Sequence, residues 1–149
     1  MNSIHLPVSL NELTKINAEI EHIVSGDPEL VFKLQLIVEE ILTNIAKYAY
    51  SESEDNKYLN FICGYVYFDH ERAVLLQFVY GGAAFDPFVE VAEPDITKPM
   101  DERDIGGLGI HLIKEIATHY TYARIDDYNQ VQIYLNEVAP AASAEKPQV

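Results

Sequence analysis

The sequence predicts an α+β domain, on two observations. Apolar residues recur at helical spacings between Leu10 and Ile45 and again from Ile110 to Thr118. Two pairs of segments rich in aromatic and β-branched residues are each joined by a short polar turn, as antiparallel strand pairs require. With 149 residues, 48% of them hydrophobic, the chain fills one domain and not two. That domain is expected to span residues 1–138, with no internal repeat. The Ala/Pro-rich stretch 139–149 is expected to be a disordered tail.

Ile4 to Val8 is a short strand candidate. Leu10 to Val24 follows with Leu13, Ile16, Ile20 and Val24 on one face, and Gly26 ends that helix. Asp27 is placed to cap a second helix that has Pro28 in its first turn and Leu30, Leu34, Ile37, Ile41 and Ile45 as its buried stripe. Ser51 to Lys57 is a polar loop. Leu59 to Phe68 and Ala73 to Tyr80 make a hairpin around Asp69 to Arg72. No period persists between Gly81 and Gly107, where Pro87, Pro94 and Pro99 interrupt the chain, so a long loop of the lid kind is expected there. Ile110 to Thr118 is helical. Thr121 to Ile125 and Gln130 to Asn136 close the domain as a strand pair around Asp126 to Asn129.

Charge and composition exclude several functions. A formal charge of −14 with only ten Lys and Arg argues against direct nucleic-acid binding and suits a basic partner. Cys63 stands alone, which fits a reducing, cytoplasmic setting without disulfides. No run of 18 apolar residues offers a membrane span. The five histidines show no ligand spacing for zinc, and no serine has the neighbours of a hydrolase nucleophile.

Two segments carry chemistry. In EEILTNIAKYAY, Glu40 and Asn44 lie one helical turn apart, and Lys47 and Tyr48 extend the same face. A carboxylate there can accept a proton and an amide oxygen can ligate Mg²⁺, or the face is simply solvated. In DIGGLGIHLIKEI, glycines run into a helix start, where bare backbone amides and the helix dipole attract phosphate. Plain turn geometry gives glycines there too. A third segment, VYGGAAFDPF, leaves a strand end through two glycines that either lie against a flat ligand or turn the chain out of the sheet.

The order of these motifs over Leu10 to Val138 resembles the GHKL (Bergerat-fold) superfamily of ATP-binding domains, and within it the anti-sigma-factor serine/threonine kinases of the RsbW and SpoIIAB type. EEILTNIAKYAY is similar to the N box, Phe85-Asp86-Pro87 to the end of the first glycine box, and GGLG to the second. The resemblance implies a two-layer α/β sandwich, its mixed, largely antiparallel sheet covered on one face by about three helices. It implies Mg-ATP as ligand, Glu40 as general base, Asn44 as the Mg²⁺ ligand, and Tyr80 and Gly82 beside the adenine. Gly106, Gly107, Leu108 and Gly109 are implied under the phosphates, with Lys47 and Arg103 reaching toward them. Implied partners are a STAS-type anti-anti-sigma protein, a sigma factor and a second copy meeting through the N-terminal strand and helix side. The sequence departs from the family at Tyr80, where an adenine-binding Asp is usual, at Tyr48, where His is common, and at Gln132, which stands at the supporting position in the last strand. A partner-binding regulatory module that binds nucleotide weakly or not at all is therefore the alternative to a kinase. A detached histidine-kinase catalytic domain is a third, against which Phe85-Asp86-Pro87 favours the serine-kinase branch.

Overall fold

The computed structural model describes residues 3–51, 55–91, 97, 99 and 108–137. Five strands form one open sheet in the order β1-β2-β3-β5-β4, and every ladder is antiparallel: β1 (Ser3–Pro7), β2 (Tyr58–Phe68), β3 (Glu71–Tyr80), β4 (His119–Ile125) and β5 (Tyr128–Asn136). The helices α1 (Leu13–Ile23), α2 (Pro28–Asn44), α3 (Pro87–Glu90) and α4 (Leu108–Ile116) complete the α+β architecture.

Alternation along the strands creates the two faces. Leu59, Phe61 and Cys63 on β2 meet Tyr80, Phe78 and Leu76 on β3, and all six are buried. Val131, Ile133 and Leu135 of β5 extend this layer, on which Ile16 and Ile20 of α1 and Leu34, Ile37 and Ile41 of α2 complete the core. Burial pushes the Cys63 thiol up to about 12, so it is an inert core residue.

Several boundaries shift from the sequence reading, each for a local reason. Ser9 caps a 3-10 turn at Leu10–Glu12, which delays α1 to Leu13. The stripe of α2 ends at Asn44, and a π turn at Ile45–Ala49 carries the chain on to Tyr50. Both hairpin loops tighten to two residues with positive φ: Asp69 (52°) and His70 (66°), then Asp126 (48°) and Asp127 (66°). That conformation matches the strand twist, and so the strands run longer than their apolar cores suggest.

The proline-rich segment also differs. It contains α3, capped by Asp86, whose carboxylate accepts from Phe88 N at 2.9 Å. Phe88 and Val91 are buried, so the start of the expected lid is packed on the core, with Phe88 against Tyr120 at 4.6 Å between ring centroids. The rest of that lid, apart from Thr97 and Pro99, lies outside the described residues, as does the tail.

Asp27 caps α2 as its position predicts, its Oδ1 accepting from Leu30 N at 3.1 Å. Asp27→Ala is expected to lower stability by about 0.5–2 kcal/mol in urea denaturation, since a first-turn amide loses its partner. An unchanged midpoint would show that α2 is held by packing alone.

Candidate functional site

The C-terminal half of α2 presents Glu40 and Asn44 on one face. Ile37, Val38, Ile41 and Leu42 anchor the helix in the core and thereby fix the direction of that face. Asn44 is only 8% exposed, and its Nδ2 donates to Glu40 O at 2.7 Å, which leaves Oδ1 as an acceptor. Glu40 is half-buried. Desolvation, and then the neighbouring Glu39 carboxylate, hold its pKa above the ordinary value of 4.5. Tyr48, on the π turn, packs on Phe85 at 5.3 Å, and the Lys47 ammonium lies 5.1 Å from the Tyr48 ring centre. The structure therefore directs Lys47 to an aromatic face.

The segment after β3 is folded around one residue, Asn129, which is fully buried at the start of β5. Its Nδ2 faces Tyr80 O at 3.3 Å, Gly81 O at 3.0 Å and Ala83 O at 3.0 Å. Its Oδ1 accepts from Phe85 N at 2.9 Å and from the Tyr122 hydroxyl. Tyr80, 1% exposed, donates its hydroxyl to Phe85 O at 2.8 Å, while desolvation raises its pKa. The Arg124 guanidinium reaches Gly82 O at 3.2 Å. A side chain has thus taken over the turn's backbone hydrogen bonds, and residues 80–85 form a fixed wall.

Glycine is required at two points of this arrangement. Gly82 has φ +75°, and an added Cβ would lie 2.3 Å from Ala49 O, the acceptor that Ala83 N reaches at 2.8 Å. The turn thereby docks on the π turn that follows α2. At Gly109, in the first turn of α4, an added Cβ would lie 1.9 Å from Glu40 Oε2. The second glycine segment and the Glu40 carboxylate are in direct contact, although far apart in sequence.

The structure accordingly brings Glu40, Asn44 and Gly109 together and sets Tyr80 and Gly82 in the wall beside the end of α2. Leu108 begins α4. Arg103, Gly106 and Gly107 lie outside the described residues. Gln132 does not support the turn: it points from the opposite face of the sheet, where its Nε2 donates to Gln77 Oε1 at 2.7 Å. The parity of β5 explains this, because Val131, Ile133 and Leu135 face the core and Gln132 must face away. Asn129 shares their inward parity and holds the place expected of Gln132. A polar residue at an inward position just before an apolar alternation is the sequence signal that marks it.

Residues 6–135 match the family model described as the histidine kinase-like ATPase domain. The chain is also similar to the serine/threonine-protein kinase BtrW of Bordetella bronchiseptica (strain ATCC BAA-588 / NCTC 13252 / RB50). The two are 25% identical over 135 residues, which cover 89% of this chain and 91% of that protein.

The contact between Gly109 and Glu40 has a signed consequence. Alanine normally gains about 1 kcal/mol over glycine inside a helix. Here Gly109→Ala is expected to forfeit that gain of about 1 kcal/mol, because the end of the Glu40 side chain, from Cγ to Oε2, must move aside. In a Glu40→Ala background the same change should recover the gain, and a double-mutant cycle in urea measures the difference. Additive effects would contradict the contact.

Proposed function

The chain belongs to the histidine kinase-like ATPase domain family, and from that premise we propose that it binds Mg-ATP and phosphorylates a Ser or Thr hydroxyl on a partner protein. The observation that carries the reading is the contact of Gly109 with Glu40, which joins a helix start suited to phosphate with the one half-buried carboxylate on the α2 face. Likeness to a serine/threonine-protein kinase supports the choice of acceptor.

The residues present fit the ligand. Asn44 offers an oxygen of the kind hard cations take, and Gly82 and Gly109, bare of side chains, let their segments pack directly on Ala49 O and Glu40. Mg²⁺, when bound, neutralises charge on the phosphate oxygens. Asn44 Oδ1 would be its protein ligand, and the amides opening α4, with Gly106, Gly107 and Arg103 before them in sequence, would hold the phosphates. Lys47, stacked on Tyr48, would add positive charge just beyond the end of α2. Glu40 accepts the proton of the attacking hydroxyl as the oxygen bonds to the γ-phosphorus and the bond to the β-phosphate oxygen breaks, releasing ADP. Its raised pKa makes Glu40 a stronger base than an exposed carboxylate.

Partner chemistry follows the same proposal. A STAS-type antagonist would receive the phosphoryl group, and a sigma factor would be the protein held when the kinase is idle; a surface of charge −14 favours basic docking elements. A second copy would meet the chain through β1 and the α1 side. One observation favours the alternative of a partner-binding module poor in nucleotide. Tyr80 stands where an adenine-binding carboxylate is usual, and its buried hydroxyl is committed to Phe85 O.

Glu40→Ala is expected to cut phosphoryl transfer by roughly 10²–10⁴ while leaving ATP affinity within a few-fold, because a base acts on the transition state. In the parent protein the rate should fall with pH through the Glu40 pKa, so the acid limb lies above 4.5, and it should be absent in the variant. Radiolabel transfer with calorimetric ATP titration reads both quantities. Transfer by the variant at the parent rate would remove Glu40 from the chemistry, and no ATP binding by the parent would leave the partner-binding module.

A further inference from the structure

A cavity that neither Glu40 nor Asn44 lines lies at one end of the sheet. It has a volume of about 510 Å³ and opens on the helix-free face, where β1, β2, β3 and the start of β5 converge. His5 pairs with Asn60 across β1 and β2, and Asn60 with Val79 across β2 and β3. These residues alternate with the core-facing Leu59 and Tyr80, so they point away from the helices. Tyr128 closes the far side, and the backbone of Gly81 and Gly82 forms the inner wall.

The chemistry of the lining is specific. His5 and Tyr58 stack at 5.0 Å with ring planes 11° apart, and the His5 imidazole is tied to Asn60 Oδ1 at 2.8 Å. Both rings are thus held in place before any ligand arrives, while the Asn60 amide donors and the second His5 nitrogen remain for one. Among the described residues no Asp, Glu, Lys or Arg lines the cavity, although the chain carries a charge of −14. Among them an anion would find no cation, and a cation no carboxylate. A purely apolar ligand would strand the asparagine and histidine groups. Aromatic faces beside carboxamide edges suit a flat, uncharged heterocycle, since stacking binds its face and amides read its rim. The volume falls within the range of small-molecule sites, about 300–1,000 Å³.

We propose that this cavity is a second ligand site, which takes an uncharged nucleobase or nucleoside. The site does not depend on the kinase reading, but it adjoins the machinery of that reading. Gly81 N donates to the Tyr50 hydroxyl at 2.8 Å, which in turn donates to Tyr58 O at 2.9 Å, and Gly81 O is held by Asn129. A ligand on the outer side would bear on the turn that faces the nucleotide on the inner side, and the two affinities would be reciprocally linked.

Titration of the ¹⁵N-labelled full chain with cytidine, followed by amide chemical shifts, tests the proposal. Saturable shifts are expected at His5, Asn60, Gly81 and Tyr128, and His5→Ala and Asn60→Ala should each weaken binding by at least about fivefold while leaving the spectrum otherwise unchanged. Both residues are on the surface, so the variants should fold. Absence of saturable shifts, equal binding by the variants, or equal binding of benzoate would overturn it. So would shifts at the same residues on raising protein concentration without cytidine, since a second copy would then fill the cavity. Failure of the kinase reading would appear separately, as no response at Asn44 or Gly109 to Mg-ATP.

Discussion

The half of this domain that carries the candidate site depends on the side chain of Asn129. A turn that leaves a strand loses its ladder partners, and in a buried position its carbonyls and amides must be satisfied some other way. One carboxamide does this for residues 80–85, donating to backbone oxygens of that segment and accepting from Phe85 N and the Tyr122 hydroxyl. Leaving such groups without partners costs about 1–3 kcal/mol each. The wall is therefore fixed in place before any ligand is present, and its ordering is accomplished in folding.

Close approach is the second constraint. The turn can dock on the end of α2 only because Gly82 has no side chain, and α4 can begin against Glu40 only because Gly109 has none. The helix α2 is thus the common reference for both glycine segments. Its apolar stripe is locked in the core, and a second face, part of it packed against the start of α4, carries Glu40 and Asn44. Fold stability and site geometry are two uses of the same helix. Glu40 shows the cost, because burial and Glu39 disfavour its ionised form, and that tension is what makes it a better proton acceptor.

Most of the architecture was legible in the sequence because its elements have a period. The stripes of α1 and α2 and the alternation of β2, β3 and β5 could be read directly, and the Asp27 cap fell where its residue type and the following proline placed it. What could not be read lacks a period. The four residues of α3 are too few to show one, and the π turn after Asn44 continues an apparent helix. The strands extend beyond their apolar centres because two-residue loops with positive φ at Asp and His residues are tighter than a polar stretch suggests. For the site, the meeting of Glu40 with Gly109 was anticipated only through motif order, since no local pattern specifies which helix face a distant glycine touches. The place of Gln132 was open to a parity argument along β5, and that argument selects Asn129.

The central claim is that the wall held by Asn129 faces the nucleotide, and calorimetric titration of Mg-ATP into the parent protein and into Asn129→Ala tests it most directly. The account predicts measurable binding by the parent and at least about a tenfold loss in the variant under conditions where circular dichroism shows it folded. Equal affinity in the two folded proteins would contradict it, because residues 80–85 would then have no part in holding the nucleotide.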